Sequence, residues 1–160
     1  HSHSKSSNVT GCRLGLAVGC SELVGGLTKL RSNVDSNAFP ALARAGAAAL
    51  SGPQDSVDAM RAAIQQRRDW LVDGFRSLGW PVRRPDGTFY IWAPVAKGYS
   101  SADFAALLLR DAGMLVTPGS AYGSHGEGYI RLSLTILSDD VQGYIAEAVE
   151  RVGKLGLRWD

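Results

Sequence analysis

His1-Ser2-His3-Ser4-Lys5-Ser6-Ser7-Asn8-Val9-Thr10-Gly11-Cys12-Arg13-Leu14-Gly15 opens the chain and holds its most informative chemistry. Ser2 and Ser4 offer hydroxyls, and Arg13 offers a guanidinium that can meet a phosphate through two parallel hydrogen bonds. Lys5 can form a Schiff base with an aldehyde where nearby positive charge lowers its pKa. Spacing alone leaves a second reading open, a solvated terminus that holds no ligand.

Three later stretches stand out. In Gly128-Tyr129-Ile130-Arg131-Leu132-Ser133-Leu134, Arg131 interrupts a β-type apolar run. A half-buried arginine needs an anion, which is either a structural carboxylate or the carboxylate of a substrate. Gly87-Thr88-Phe89-Tyr90-Ile91-Trp92 is an aromatic strand after a turn and by itself reads as core. Pro118-Gly119-Ser120-Ala121-Tyr122-Gly123 follows a strand. It is either an ordinary connection or a loop that approaches a ligand closely.

Composition narrows the class. The 160 residues are 45% apolar and 20% charged, values typical of one globular domain with a real core. A net charge of +2 without a basic run gives no footprint for nucleic acid. No apolar stretch reaches the ~20 residues of a membrane span. Nucleophile elbow, P-loop, dinucleotide fingerprint and paired-histidine metal motifs are all missing. Cys12 and Cys20 have no neighbouring His or Cys pair, so no metal is expected. Both read as reduced, buried small residues of a cytoplasmic protein. His125, alone in a glycine-rich loop, reads as solvated. There is no signal peptide and no initiator Met, so the chain is expected to be the later part of something longer.

Periodicity predicts a short buried strand over 13–18 and a helix from Ser21, its N-cap. A polar linker over 32–37 leads to a second helix at 39–50. The clearest helix spans 53–78, with Pro53 at its start, Gly79 past its end and Val57, Met60, Ile64, Leu71, Phe75 and Leu78 on one face. Residues 80–84 and 88–93 read as a hairpin across Pro85-Asp86-Gly87. A helix capped at Ser100 or Ser101 runs to Gly113, strands follow at 114–117 and 129–134, and Ser138-Asp139-Asp140 starts the last helix.

In order and spacing these motifs resemble the second half of a class I/II aminotransferase, a fold-type I enzyme that uses pyridoxal 5'-phosphate. The family carries Ser-x-Ser-Lys, then Asn-x-Thr-Gly-x-Arg-x-Gly, and Ser2, Ser4, Lys5, Asn8, Thr10, Gly11, Arg13 and Gly15 fall on those positions. The likeness continues through Gly87 to Tyr90, Val116 to Gly123 and Tyr129 to Ser133, covering essentially the whole chain. It implies that Lys5 is the catalytic lysine, holding the cofactor as a Schiff base and then moving the substrate α-proton. It implies that Ser2, Ser4 and Arg13 hold the phosphate, that Arg131 binds the substrate α-carboxylate, and that Tyr90 and Tyr122 line the same pocket. It sends Asn37 toward a neighbouring subunit. Cys12 stands where relatives usually carry Trp, Val9 where Met is common, and His3 where an apolar residue is usual.

The implied architecture is α/β, the C-terminal portion of the fold-type I fold. Residues 1–52 are expected to be the tail of the large domain and 53–160 the small α+β domain, a short sheet with helices on one side. The implied substrates are an amino acid and a 2-oxo acid of the aspartate, alanine or diaminopimelate group, and the intact enzyme is implied to be a homodimer. The family's first half supplies the acid that pairs with the cofactor ring. This chain by itself is therefore expected to be a weak catalyst, and the alternative is a non-catalytic module that folds alone or pairs with a partner. Residues 1–52, short of packing partners, are expected to expose apolar surface.

Overall fold

Strand alternation in Tyr90-Ile91-Trp92-Ala93-Pro94 and Tyr129-Ile130-Arg131-Leu132-Ser133 organises the computed structural model, which describes residues 1–35 and 38–159. β1 (Tyr90–Pro94) pairs antiparallel with β3 (Tyr129–Ser133), and β3 pairs antiparallel with β2 (Thr117–Pro118), giving the order β1-β3-β2. Side chains alternate between faces along a strand. Ile91, Ala93, Ile130 and Leu132 are therefore buried on one face, while Tyr90, Trp92, Tyr129 and Arg131 share the other.

Three helices complete the core over the buried face. α4 (Asp55–Ser77) contributes Leu71, Val72 and Phe75, α5 (Ser101–Ala112) contributes Phe104, Leu108 and Ala112, and α6 (Val141–Gly153) contributes Ile145 and Val152. Their ends carry the expected signals. Ser100 caps α5 by accepting from the Asp103 N–H at 3.1 Å, and Asp140 caps α6 by accepting from the Gly143 N–H at 2.8 Å. Gly113 closes α5 in the left-handed region at φ 67°. Along α4 the predicted stripe is half-buried at Val57, Met60 and Ile64 and fully buried at Leu71 and Phe75.

The described residues form two compact units, His1–Met60 and Arg61–Asp160. The first holds α1 (His3–Ser6), α2 (Ser21–Val34), α3 (Pro40–Ser51) and the start of α4. Its described buried residues are His3, Ser4 and Gly46, and no residue of α2 is buried. Leu23, Leu27, Leu30 and Val34 instead form an exposed stripe at helical spacing. No helix among the described residues is long and apolar enough to cross a membrane.

Several expectations are corrected. Residues 13–18 form no strand, because a ladder needs a neighbour and the only pairing there is an isolated bridge between Ser2 and Gly15. The hairpin across Pro85–Gly87 is absent. Pro81 has no N–H to give a ladder, and the carbonyls of Val82 and Pro85 accept instead from Arg76 (2.9 Å) and Arg68 (3.0 Å). Trp80 leaves the sheet altogether for the core, where its ring stacks on Trp159 at 4.5 Å. Residues 114–116 join no strand, so the strand there is only Thr117–Pro118. Cys20, not Ser21, is the N-cap of α2, and α4 begins at Asp55 rather than Pro53. The cysteines are free but not buried, Cys12 being half-buried and Cys20 exposed, and no described apolar residue of the first unit is buried. Asn37 lies outside the described residues.

Candidate active site

The predicted residues assemble in two groups, one in each unit. In the first, residues 1–16 fold back on themselves. The His3 N–H donates to the Leu14 carbonyl at 3.1 Å, and the Leu16 N–H donates to that of His1 at 2.9 Å. Reversal is made by a 3-10 turn at Thr10–Cys12, set between Asn8 (φ 54°) and Arg13 (φ 49°) in the left-handed region. Asn tolerates that conformation, whereas Arg13 adopts it at about 1–2 kcal/mol. The Thr10 hydroxyl donates to the Ser4 carbonyl at 3.0 Å and ties the turn to α1.

This fold-back brings Ser2, Ser4, Lys5 and Arg13 into one segment, with Ser2, Lys5 and Arg13 exposed and Ser4 buried. The Ser2 hydroxyl caps the single turn of α1 by accepting from the Ser4 N–H at 3.3 Å. Arg13 donates one long bond, 3.5 Å, to the Thr10 carbonyl, so most of its N–H groups remain for an anion. The first acidic residue of the chain is Glu22, so the segment carries two cations and no carboxylate. Hydroxyls, a guanidinium and an amine in that electropositive segment match the donor needs of a phosphate ester bearing an aldehyde. His3 is buried at the apolar position that it occupies, facing Gly46 of α3. A Cβ at Gly46 would meet His3 Nε2 at 3.3 Å and collide with Leu14.

In the second unit, Arg131 stands on the open face of the sheet, opposite Trp92 in β1 and Thr117 in β2. Its guanidinium carbon lies 4.0 Å from the centre of the Tyr90 ring and 4.9 Å from that of Tyr122. Among the described residues no carboxylate pairs with it. Of the two partners open at the sequence level, the structural carboxylate is therefore not found. The structure brings Tyr90, Tyr122 and Arg131 together.

Two further rings share this face. Trp92 stacks on Tyr129 at 5.7 Å and meets Tyr122 edge-on at 5.8 Å. Period-2 alternation from Tyr90 and Arg131 was the signal that could have found them. The loop carrying Tyr122 is held by a network that no local signal reveals. The Glu127 carboxylate accepts from the Ser101 N–H (2.7 Å), the Ser101 hydroxyl (2.8 Å) and the Gly128 N–H (3.0 Å). These bonds, chiefly those from Ser101, hold its pKa below the ordinary glutamate range. Gly119, in the loop expected to approach a ligand, is buried against the backbone of Gly126 and Tyr129. His125 is exposed, and among the described residues no cluster of His, Cys, Asp or Glu could hold a metal.

Comparison with known proteins gives the family and the fold. The sequence profile described as "Aminotransferase class I and II" matches residues 1–149. The chain is 48% identical over 155 residues to an LL-diaminopimelate aminotransferase of Moorella thermoacetica, covering 97% of this chain and 39% of that protein. It superposes on an aromatic aminotransferase from Pyrococcus horikoshii with a TM-score of 0.85 and 30% identity, covering 96% of this chain and 41% of the other. An aminotransferase from Staphylococcus aureus gives a TM-score of 0.88 at 29% identity, covering 98% and 41%. The chain thus spans about two fifths of the length of the proteins that it matches.

Proposed function

Because this chain belongs to the class I and II aminotransferases, we propose that it is the C-terminal part of an enzyme that transfers an amino group between an amino acid and a 2-oxo acid with pyridoxal 5'-phosphate. In this reading residues 1–52 end the large domain and 53–160 form the small one. The intact enzyme is a cytoplasmic homodimer. Within the aspartate, alanine and diaminopimelate group, the names of relatives above 40% identity favour a diaminopimelate as amino donor.

The observation that carries the reading is Arg131, half-buried, set against two tyrosine rings and without a carboxylate among the described residues. A guanidinium so placed binds a substrate α-carboxylate and orients the α-carbon. Tyr90 and Tyr122 wall that position. Ser2, Ser4 and Arg13 would hold the phosphate, and Lys5 Nζ would hold the cofactor and take the proton from the substrate α-carbon. The cofactor, when bound, supplies an electron sink for the pair left on that carbon.

The test is borohydride reduction of the chain with pyridoxal phosphate, followed by mass mapping. One adduct at Lys5 is expected among the four lysines, competed by phosphate and lost in Lys5→Ala. Labelling spread over Lys29, Lys97 and Lys154 overturns the reading in favour of a non-catalytic module, to which the exposed stripe of α2 lends support.

A further inference from the structure

We infer that Trp92 is a positioning residue for Arg131: acting through Tyr122, and steadied by Tyr129, it holds the guanidinium with its N–H edge available to a carboxylate. The inference rests on the reading of Arg131 as the carboxylate ligand. An arginine side chain carries about 2 kcal/mol of rotamer entropy, so something must hold it before substrate arrives. No carboxylate among the described residues does so, and its close neighbours are the ring faces of Tyr90 and Tyr122. Contact with ring faces restrains the guanidinium while spending none of its N–H donors.

The two tyrosines are not equally fixed. Tyr90 belongs to β1 and is half-buried. Tyr122 ends a 3-10 turn and is 50% exposed, so its ring stays against Arg131 only if something else touches it. Trp92 makes that contact, edge-on at 5.8 Å and 67°. On its other side Trp92 stacks on Tyr129 at 5.7 Å and 19°. Trp92 faces Arg131 directly in the β1–β3 register, and Tyr129 precedes Arg131 by two residues on the same face of β3. Trp92 is itself 38% exposed and outside the buried core, so core packing does not account for its place.

Arginine-labelled ¹⁵N NMR on the 160-residue chain tests this, with the Arg131 side-chain Nε–Hε signal assigned by its loss in Arg131→Lys. Ring currents are expected to move that signal upfield of the free-arginine position. Trp92→Leu is expected to return it part of the way, since Tyr90 stays in place, and Trp92→Phe to keep it. Titration with acetate, the simplest carboxylate probe, is expected to need about two- to fivefold more acetate in Trp92→Leu than in the unsubstituted chain. A folded Trp92→Leu chain whose Arg131 signal and acetate response are both unchanged overturns the inference. If Trp92→Leu does not fold, Tyr129→Leu removes the ring on which Trp92 stacks and carries the same expected and overturning results. Failure of the underlying reading looks different: acetate then leaves the Arg131 signal unmoved even in the unsubstituted chain.

Discussion

Glu127 shows how a single carboxylate positions a loop. It ties the first residue of α5 to the Gly128 end of the loop that carries Tyr122, accepting three hydrogen bonds in its ionised form. Its pKa is depressed in the folded chain, so its contribution is complete above the ordinary glutamate pKa, ~4.3, and is lost as pH falls through the lower folded value. Glu127→Gln should therefore flatten the acid limb of the melting temperature measured between pH 3 and 6, with little change in the shape of the curve at neutral pH. Gly119 acts by absence of a side chain. A Cβ there would collide with the Gly126 carbonyl and sit 2.6 Å from that of Tyr129, both rigid backbone. Gly119→Ala should cost about 1–3 kcal/mol or more in urea unfolding, as overpacking does. It should also disturb the Tyr122 side of the site.

At the scale of elements, the informative contact is between α4 and α6. Gly74 lies within α4, where glycine costs about 1 kcal/mol relative to alanine. It is there because a Cβ would meet Val149 of α6 at 2.6 Å. Gly74→Ala is expected to destabilise the chain by about 1–3 kcal/mol despite its better helix propensity, since Val149 is β-branched and cannot swing aside. Val149→Ala in the same chain should restore most of the loss. A double-mutant cycle by chemical denaturation reads the coupling, and simple additivity would refute close approach as the cause. The strands obey a different logic. Residues 80–84 have strand-like composition yet form no ladder, because Pro81 removes a donor and Trp80 gains more from the core, where its indole N–H also donates to the Pro94 carbonyl at 2.8 Å.

Over the whole chain, apolar burial is concentrated in one unit. All sixteen buried apolar residues among those described lie between Leu71 and Val152, within Arg61–Asp160. Protection in amide hydrogen exchange should follow that distribution. Amides of β1, β3 and the second half of α4 should exchange only through global unfolding, and those of α2 should exchange through local fraying at least about tenfold faster. Equal protection of α2 and β3 would show that burial does not set the stability of these segments.

Much of the candidate site was legible in the sequence because its residues are close in the chain. Ser2, Ser4, Lys5 and Arg13 lie within one segment, and Tyr90, Tyr122 and Arg131 each sit in a short motif whose order resembles one family. Helices were legible for the same reason: caps, glycine stops and 3.6-residue periodicity act within a few residues of each other. Strands were less so, since a ladder exists only if a distant neighbour supplies the other half, as β3 does for β1 and no described strand does for residues 13–18. The aromatic surroundings of Arg131, the anchoring of the Tyr122 loop by Glu127 and Ser101, and the emergence of Trp80 as core were decided by tertiary structure. Each depends on which side chains meet across 14 to 41 residues of chain, and no local preference encodes such a meeting.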